Sequence, residues 1–191
     1  MVTELSASAP VRVVTESELG VTWHTGCPVG PEALRAVTVR HRDRQMATQY
    51  GELIVHETVV QDVLEIFEEL FQSNIPIVHI DTAASREGDD DRLMADDITS
   101  AFNCRFVDGT TRWSRHASGL AIDINPFENP WVRAGGRIDP PEAARFADRG
   151  LGNPEMIRAD GPVVAAFRAR GWTWGGDWDE PDYQHFERRF D

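Results

Sequence analysis

Two short segments of this sequence hold side chains whose types and spacing suit metal chemistry. The first is Ser114-Arg115-His116-Ala117-Ser118-Gly119-Leu120-Ala121-Ile122-Asp123-Ile124-Asn125-Pro126. From Leu120 it alternates strictly. That predicts a strand with Leu120, Ile122 and Ile124 toward the core and Ala121, Asp123 and Asn125 on the opposite face. Asp123 then stands beside a small residue that leaves room for approach. Gly119 permits a tight turn that can bring His116 back over the same face. An imidazole and a carboxylate converging there offer a neutral nitrogen and an anionic oxygen to a divalent ion, and zinc accepts both. Either residue alone is better read as a loop histidine or a cap. The pair, at fixed spacing around a glycine turn and before a clean strand, is what points to metal.

The second segment is Gly171-Trp172-Thr173-Trp174-Gly175-Gly176-Asp177-Trp178, followed by Pro181-Asp182-Tyr183-Gln184-His185-Phe186-Glu187. A catalytic zinc site needs three protein ligands and an open position, and His185 can supply the third. Asp182 lies three residues earlier. In a flat strand the two would face opposite ways, so a helical turn over 181–184 is expected to put both on one side. Asp182 could then act as general base toward water and return the proton to a leaving amine. Trp172, Trp174 and Trp178 can line a groove or pack in the core, with packing expected for at least two. Gly175-Gly176 can allow close approach of backbone to substrate or simply form a turn.

Positioning these residues requires a sheet and its supports. The stretch before residue 20 reads as an extended or poorly ordered lead-in, followed by a Gly26-Cys27-Pro28 turn and a helix-like piece around Pro31–Arg35. Val37–Val39 and Glu52–His56 read as strands. The clearest helix runs from about Glu57 to Gln72, with Val60, Val63, Leu64, Phe67, Leu70 and Phe71 on one face. A buried strand is expected over Ile75–Ile80 and another over Ala101–Val107, with a turn at Asp108-Gly109. Pro140–Asp148 and Gly161–Arg170 read as helices, the second stopped by Gly171. The acidic run Asp89-Asp90-Asp91 lacks the glycine and terminal glutamate of a calcium loop. It reads as a solvated loop with a short helix through Met94. With no internal repeat or linker, the expectation is one α+β domain over 21–191.

Composition narrows the partners. The 191 residues are 41% hydrophobic and 27% charged, which suits a single globular core rather than disorder. The net charge of −13 comes with no basic stripe, so no nucleic-acid partner is expected. No run approaches the length of a membrane span. The first residues lack the pattern of a secretory signal, so an extracytoplasmic or cell-wall location would require an export segment not seen here. Cys27 and Cys104 are compatible with one disulfide or with two buried thiols.

Ser114-x-His116-x-x-Gly119-x-Ala121-x-Asp123, with the later Asp182-x-x-His185, resembles the signature of the zinc D-alanyl-D-alanine carboxypeptidases and L-alanyl-D-glutamate endopeptidases. These cell-wall metallopeptidases are grouped structurally with the hedgehog signalling domain. The likeness extends to Gly51–His56 and the helix after it, Ala101–Arg105, Asn125-Pro126 with Asn129-Pro130, and Trp174–Trp178, covering roughly residues 20–190. It implies a small α+β fold around an antiparallel sheet flanked by helices, and one zinc ion held by His116, Asp123 and His185. It further implies Asp182 as base and cleavage beside a D-amino acid in peptidoglycan stem peptides, by a monomer. Arg105 matches a family arginine that binds the substrate carbonyl or carboxylate. A guanidinium there can stabilise an oxyanion, although an ion pair on an acidic protein would also account for it. Ser114 and Trp174 are the expected substrate contacts. The Ser85-Arg86 region and the acidic run depart from the family pattern, which places an altered cleft mouth among the expectations. A zinc-binding recognition module without turnover is the alternative on the same scaffold, and Asp182 is the residue that separates the two.

Overall fold

Leu34–Arg42 and Thr48–His56 are the longest strands and form the main hairpin. In the computed structural model, which describes residues 10–190, Val11–Val13 (β1), Leu34–Arg42 and Thr48–His56 form an antiparallel sheet in the order given. The two long strands, β2 and β3, pair over their full length, from Leu34 opposite His56 to Arg42 opposite Thr48. Asp43 closes their hairpin, its Oδ1 accepting from the amides of Gln45 and Ala47, each at 2.9 Å. The expected lead-in over 1–20 differs where it is described: β1 pairs with β2, and Glu16–Leu19 forms a short helix (α1) with a Thr15–Glu18 capping box. Residues 1–9 lie outside the described chain.

The expected long helix begins one turn later. Glu57–Val59 is a 3-10 turn and Val60–Gln72 the α-helix (α2), which buries Val63, Ile66, Phe67, Leu70 and Phe71 against the sheet. After it, only His79–Ile80 (β4) is strand, paired in parallel with Ile98–Thr99 (β5), and the short helix Asp90–Ala95 (α3) lies between them. The strand expected over 101–107 is absent as a ladder, because its backbone bonds to three separate elements. Phe102 N–H donates to Ile54, Asn103 N–H to His116 and Cys104 N–H to Thr22. Cys27 and Cys104 are bridged as a disulfide, which ties this segment to the N-terminal loops.

Ala121–Asp123 (β6) is followed by the small hairpin Trp131–Val132 (β7) and Ile138–Asp139 (β8). Residues 141–147 wind as a 3-10 helix, Pro162–Arg168 is α-helical (α4), and Trp172–Trp174 (β9) and His185–Arg188 (β10) complete the chain. The second antiparallel sheet runs β6-β10-β9. Its inner residues Ile122, Phe186, Trp172 and Trp174 join α2, α4 and the β2–β3 face in one core, giving an α+β domain. Among the described residues no helix is long and apolar enough to cross a membrane.

The loop after β6 is stitched down by asparagines. Asn125 accepts from Val78 N–H and donates to the Pro76 carbonyl, both at 2.9 Å, and Asn129 accepts from Ile157 N–H at 2.7 Å. Beside it Asp97, Glu128 and Glu155 share one guanidinium, Arg44. Burial, then the neighbouring Asp97, pushes the Glu128 carboxyl up to about 8. A folded value above the unfolded one favours the protonated native state. The contribution is therefore complete below the ordinary glutamate range and is lost as pH rises through 8. Urea titrations at several pH values should show that Glu128→Gln flattens the decline in stability between pH 5 and 9. Parallel pH profiles for variant and wild type would refute this.

Candidate metal centre and active-site cleft

The two motifs meet because β6 and β10 are antiparallel neighbours in a register that sets Asp123 directly opposite His185. Directly opposed residues project to the same face, within reach of each other. His116 arrives from a 3-10 turn, Arg115–Ser118, whose N-cap is Ser114. The Ser114 Oγ accepts from the His116 amide at 3.3 Å. Gly119 ends that turn at φ +65°, and a Cβ there would sit 2.6 Å from the His56 backbone nitrogen. Only glycine lets the chain turn so close to β3, and that turn swings His116 over Asp123.

The donor atoms converge. His116 Nε2 lies 3.0 Å from Asp123 Oδ2 and 3.2 Å from His185 Nδ1, which is itself 3.0 Å from Asp123 Oδ1. All three side chains are buried, and one ligand atom from each lies within 4.8 Å of the others. The opposite ring nitrogens are tied outward. His116 Nδ1 donates to the Ala101 carbonyl, and His185 Nε2 faces Glu187 Oε2 at 3.3 Å. Those partners hold the outer N–H groups, so that a bound ion would meet the inner nitrogens beside Asp123, the usual outer support of metal-binding imidazoles.

The electrostatics ask for a cation. Burial works against a charged imidazole, yet Asp123 and Glu187 raise His185 to about 10. Burial likewise opposes ionisation of Asp123, but the His116 and His185 rings hold its carboxyl far below the ordinary range. The pocket thus stabilises positive charge among two nitrogens and a carboxylate, and that donor set fits zinc. A second close group, His24 with Cys27 and Cys104, has both thiols consumed by the disulfide.

Asp182 sits beside this centre through a turn rather than the expected helical turn. Its backbone bridges to Trp131, and His185 N–H donates to the Asp182 carbonyl at 3.3 Å. The turn still directs both side chains to the same cleft. Gly175 makes the approach feasible: a Cβ there would lie 2.6 Å from the Asp182 carbonyl oxygen and 3.2 Å from the His185 Cβ. The Gly175–Asp177 turn therefore packs under the site. Burial, with Asp123 and Asp90 adding repulsion, pushes the Asp182 carboxyl up to about 7, and its Oδ1 is buried with no hydrogen-bond partner.

The cleft has a volume of about 400 Å³ and contains Arg105 and Ser114 together with the three donor residues and Asp182. Trp174 is not part of its lining. Its ring is buried in the core with Nε1 donating to the Tyr183 carbonyl at 2.9 Å, because it lies on the inward side of β9. Trp131 and the partly exposed Trp178 line the cleft instead, with the Trp178 ring 5.3 Å from His185. Two residues to which the sequence reading gave no role at the site also belong here. Asp90, from the acidic run read as solvated, faces the cleft and pairs with Arg105 at 2.8 Å. Glu187 buttresses His185, and the His185-Phe186-Glu187 alternation could have exposed it, since residues two apart on a strand share a face.

Glu187→Gln should weaken metal binding by about 10- to 100-fold, as loss of a carboxylate buttress does elsewhere, measured by competition with a chromogenic chelator. Unchanged affinity would mean that the His185–Glu187 contact is incidental.

Comparison with curated proteins and with solved structures returns no significant match. A family model described as D-alanyl-D-alanine carboxypeptidase matches residues 108–188. That segment contains His116, Asp123, Asp182 and His185, and its similarity to this peptidase family supports what the paired motifs implied.

Proposed function

We propose that this chain is a zinc peptidase that hydrolyses a bond next to a D-amino acid in peptidoglycan stem peptides. The observation that carries the reading is the convergence of His116 Nε2, Asp123 and His185 Nδ1 beside a buried, unpartnered Asp182 oxygen. His116, Asp123 and His185 would hold the ion. Zinc bound there would supply Lewis acidity, polarising a carbonyl and making water acidic near neutral pH.

The rest of the chemistry belongs to the protein. Asp182 Oδ1 accepts the proton of the attacking water and later gives it to the leaving amine nitrogen. Its raised affinity for protons suits both halves of that transfer. Arg105, held in the cleft by Asp90, faces the charge that grows on the substrate carbonyl oxygen. Ser114 keeps His116 in register through its cap, and Trp178 and Trp131 provide apolar walls. A recognition module would have no need of an unpaired buried carboxylate next to its metal, which favours turnover over binding alone.

Mass spectrometry of defined stem peptides incubated with the zinc-loaded chain, with and without chelator, tests metal, reaction and bond together. Chelator-sensitive cleavage adjacent to a D-residue is the expected result. Stoichiometric zinc without cleavage of any stem peptide would overturn the proposal in favour of a binding role.

A further inference from the structure

We infer that His24, Cys27 and Cys104 form a second metal site, closed by the disulfide and opened by a dithiol reductant, that takes a thiophilic divalent ion of the zinc class. It shares no ligand with the centre described above and does not depend on the peptidase reading. Among the described residues, two groups of potential ligands bring one donor atom from each member within 4.8 Å of the others, and this is the one the cleft does not use. Two thiolates and one imidazole, with a fourth position open, are a donor set that zinc accepts.

The imidazole is already set for that role. His24 Nδ1 lies 3.0 Å from the Thr25 carbonyl, and Nε2 faces Cys104 Sγ at 3.8 Å. A carbonyl only accepts, so the neutral ring carries its proton on Nδ1 and presents the Nε2 lone pair to the sulfur side. Tetrahedral zinc, about 2.3 Å from sulfur and about 2.0 Å from nitrogen, holds such atoms about 3.5–3.8 Å apart. The nitrogen–sulfur spacing is therefore nearly in place. The cysteine Cα atoms are 6.0 Å apart, so the freed sulfurs reach their positions by side-chain rotation.

The backbone around the three residues is held by bonds other than the disulfide. His24 N–H donates to Cys27 Sγ at 3.2 Å, and Cys27 N–H donates to the His24 carbonyl at 3.1 Å. An amide aimed at sulfur favours the thiolate once the sulfur is free. Cys104 N–H donates to the Thr22 carbonyl at 3.0 Å. Cys104 is buried, but Cys27 is half-buried and His24 exposed, so solvent reaches the group from the His24 side. A dithiol cleaves the Cys27–Cys104 bond to two thiols and is itself oxidised to a disulfide; zinc then displaces both thiol protons to solvent. The ion takes over the covalent link to the 101–105 segment, whose Ala101 carbonyl and Asn103 N–H hold His116.

The test counts zinc on the whole chain before and after dithiol treatment and anaerobic removal of the reductant, with cobalt as a spectroscopic substitute. Reduction should add one equivalent, and the cobalt form should gain a thiolate-to-metal charge-transfer band. His24→Gln, which keeps the disulfide, should leave the oxidised chain unchanged and lose the added equivalent at micromolar zinc. His116→Ala should still gain it, which separates this site from the cleft. Equal zinc content in both redox states overturns the assignment, as does an added ion that His24→Gln binds undiminished or that lacks the thiolate band. A chain that unfolds on reduction, seen as lost near-ultraviolet dichroism, overturns it too, because the site relies on a backbone that outlasts the bond.

Discussion

Asp182→Asn is expected to lower kcat by about 100- to 10,000-fold, the range supplied by a positioned general base, while zinc stays bound at one equivalent. The substitution keeps the shape of the side chain and removes only its capacity to take a proton. Asp182 lies outside the converging set of His116, Asp123 and His185, so metal content should be indifferent to it. Its buried oxygen has no protein partner that the amide would forfeit. The pH dependence follows from the same role. A base must be ionised to act, so the wild-type rate should rise with pH through the carboxyl's own value and fall about tenfold per unit below it. Burial places that value near 7 in the metal-free protein, and a bound dication would draw it lower. Cleavage by Asp182→Asn at near wild-type rate, or a flat wild-type profile from about pH 4 to 8, would sink the mechanism.

His116→Ala should lose both zinc and activity. It removes one of three donors and also leaves Asp123 and His185 buried with less of their pairing. The metal should matter for stability as well, because an ion that binds only the folded chain stabilises it by mass action. The gain is about 4 kcal/mol when free zinc is 1,000 times Kd. Thermal melts in zinc and in chelator should therefore diverge for wild type and coincide for His116→Ala. A variant that still melts higher in zinc would show that the ion binds elsewhere or without this imidazole. Because Glu187 acts only through His185, Glu187→Gln should fall between wild type and His116→Ala in the same experiment.

Much of the site was legible in the order of residues. Strict alternation from Leu120 placed Ile122 and Ile124 in the core and Asp123 on the other face, and the structure buries both isoleucines. Gly119 announced the turn that carries His116, and α2 showed its apolar face at helical spacing. These are local properties, set by side-chain period and backbone freedom over a few neighbours. The resemblance then joined the two motifs, which no local pattern could do.

Other features depended on partners distant in sequence. The ladder expected over 101–107 gave way because its amides serve Ile54, His116 and Thr22. Trp174 faces the core, since which side of β9 is inward is decided by α4 and β10 and not by the tryptophan itself. Within the acidic run, Asp89 caps α3 and Asp90 pairs with Arg105 in the cleft, a division set by where α3 starts and how it faces.

The sequence alone therefore determined which atoms can hold a cation and which carboxylate stands three residues from the last of them. The tertiary structure decided that His116, Asp123 and His185 meet, through the β6–β10 register. It also decided that Arg105 and Arg189 in the cleft pair with carboxylates. Ligand identity is a property of side chains and their short spacings. Convergence and charge balance are properties of strands paired across some sixty residues, and chain order does not encode them one position at a time.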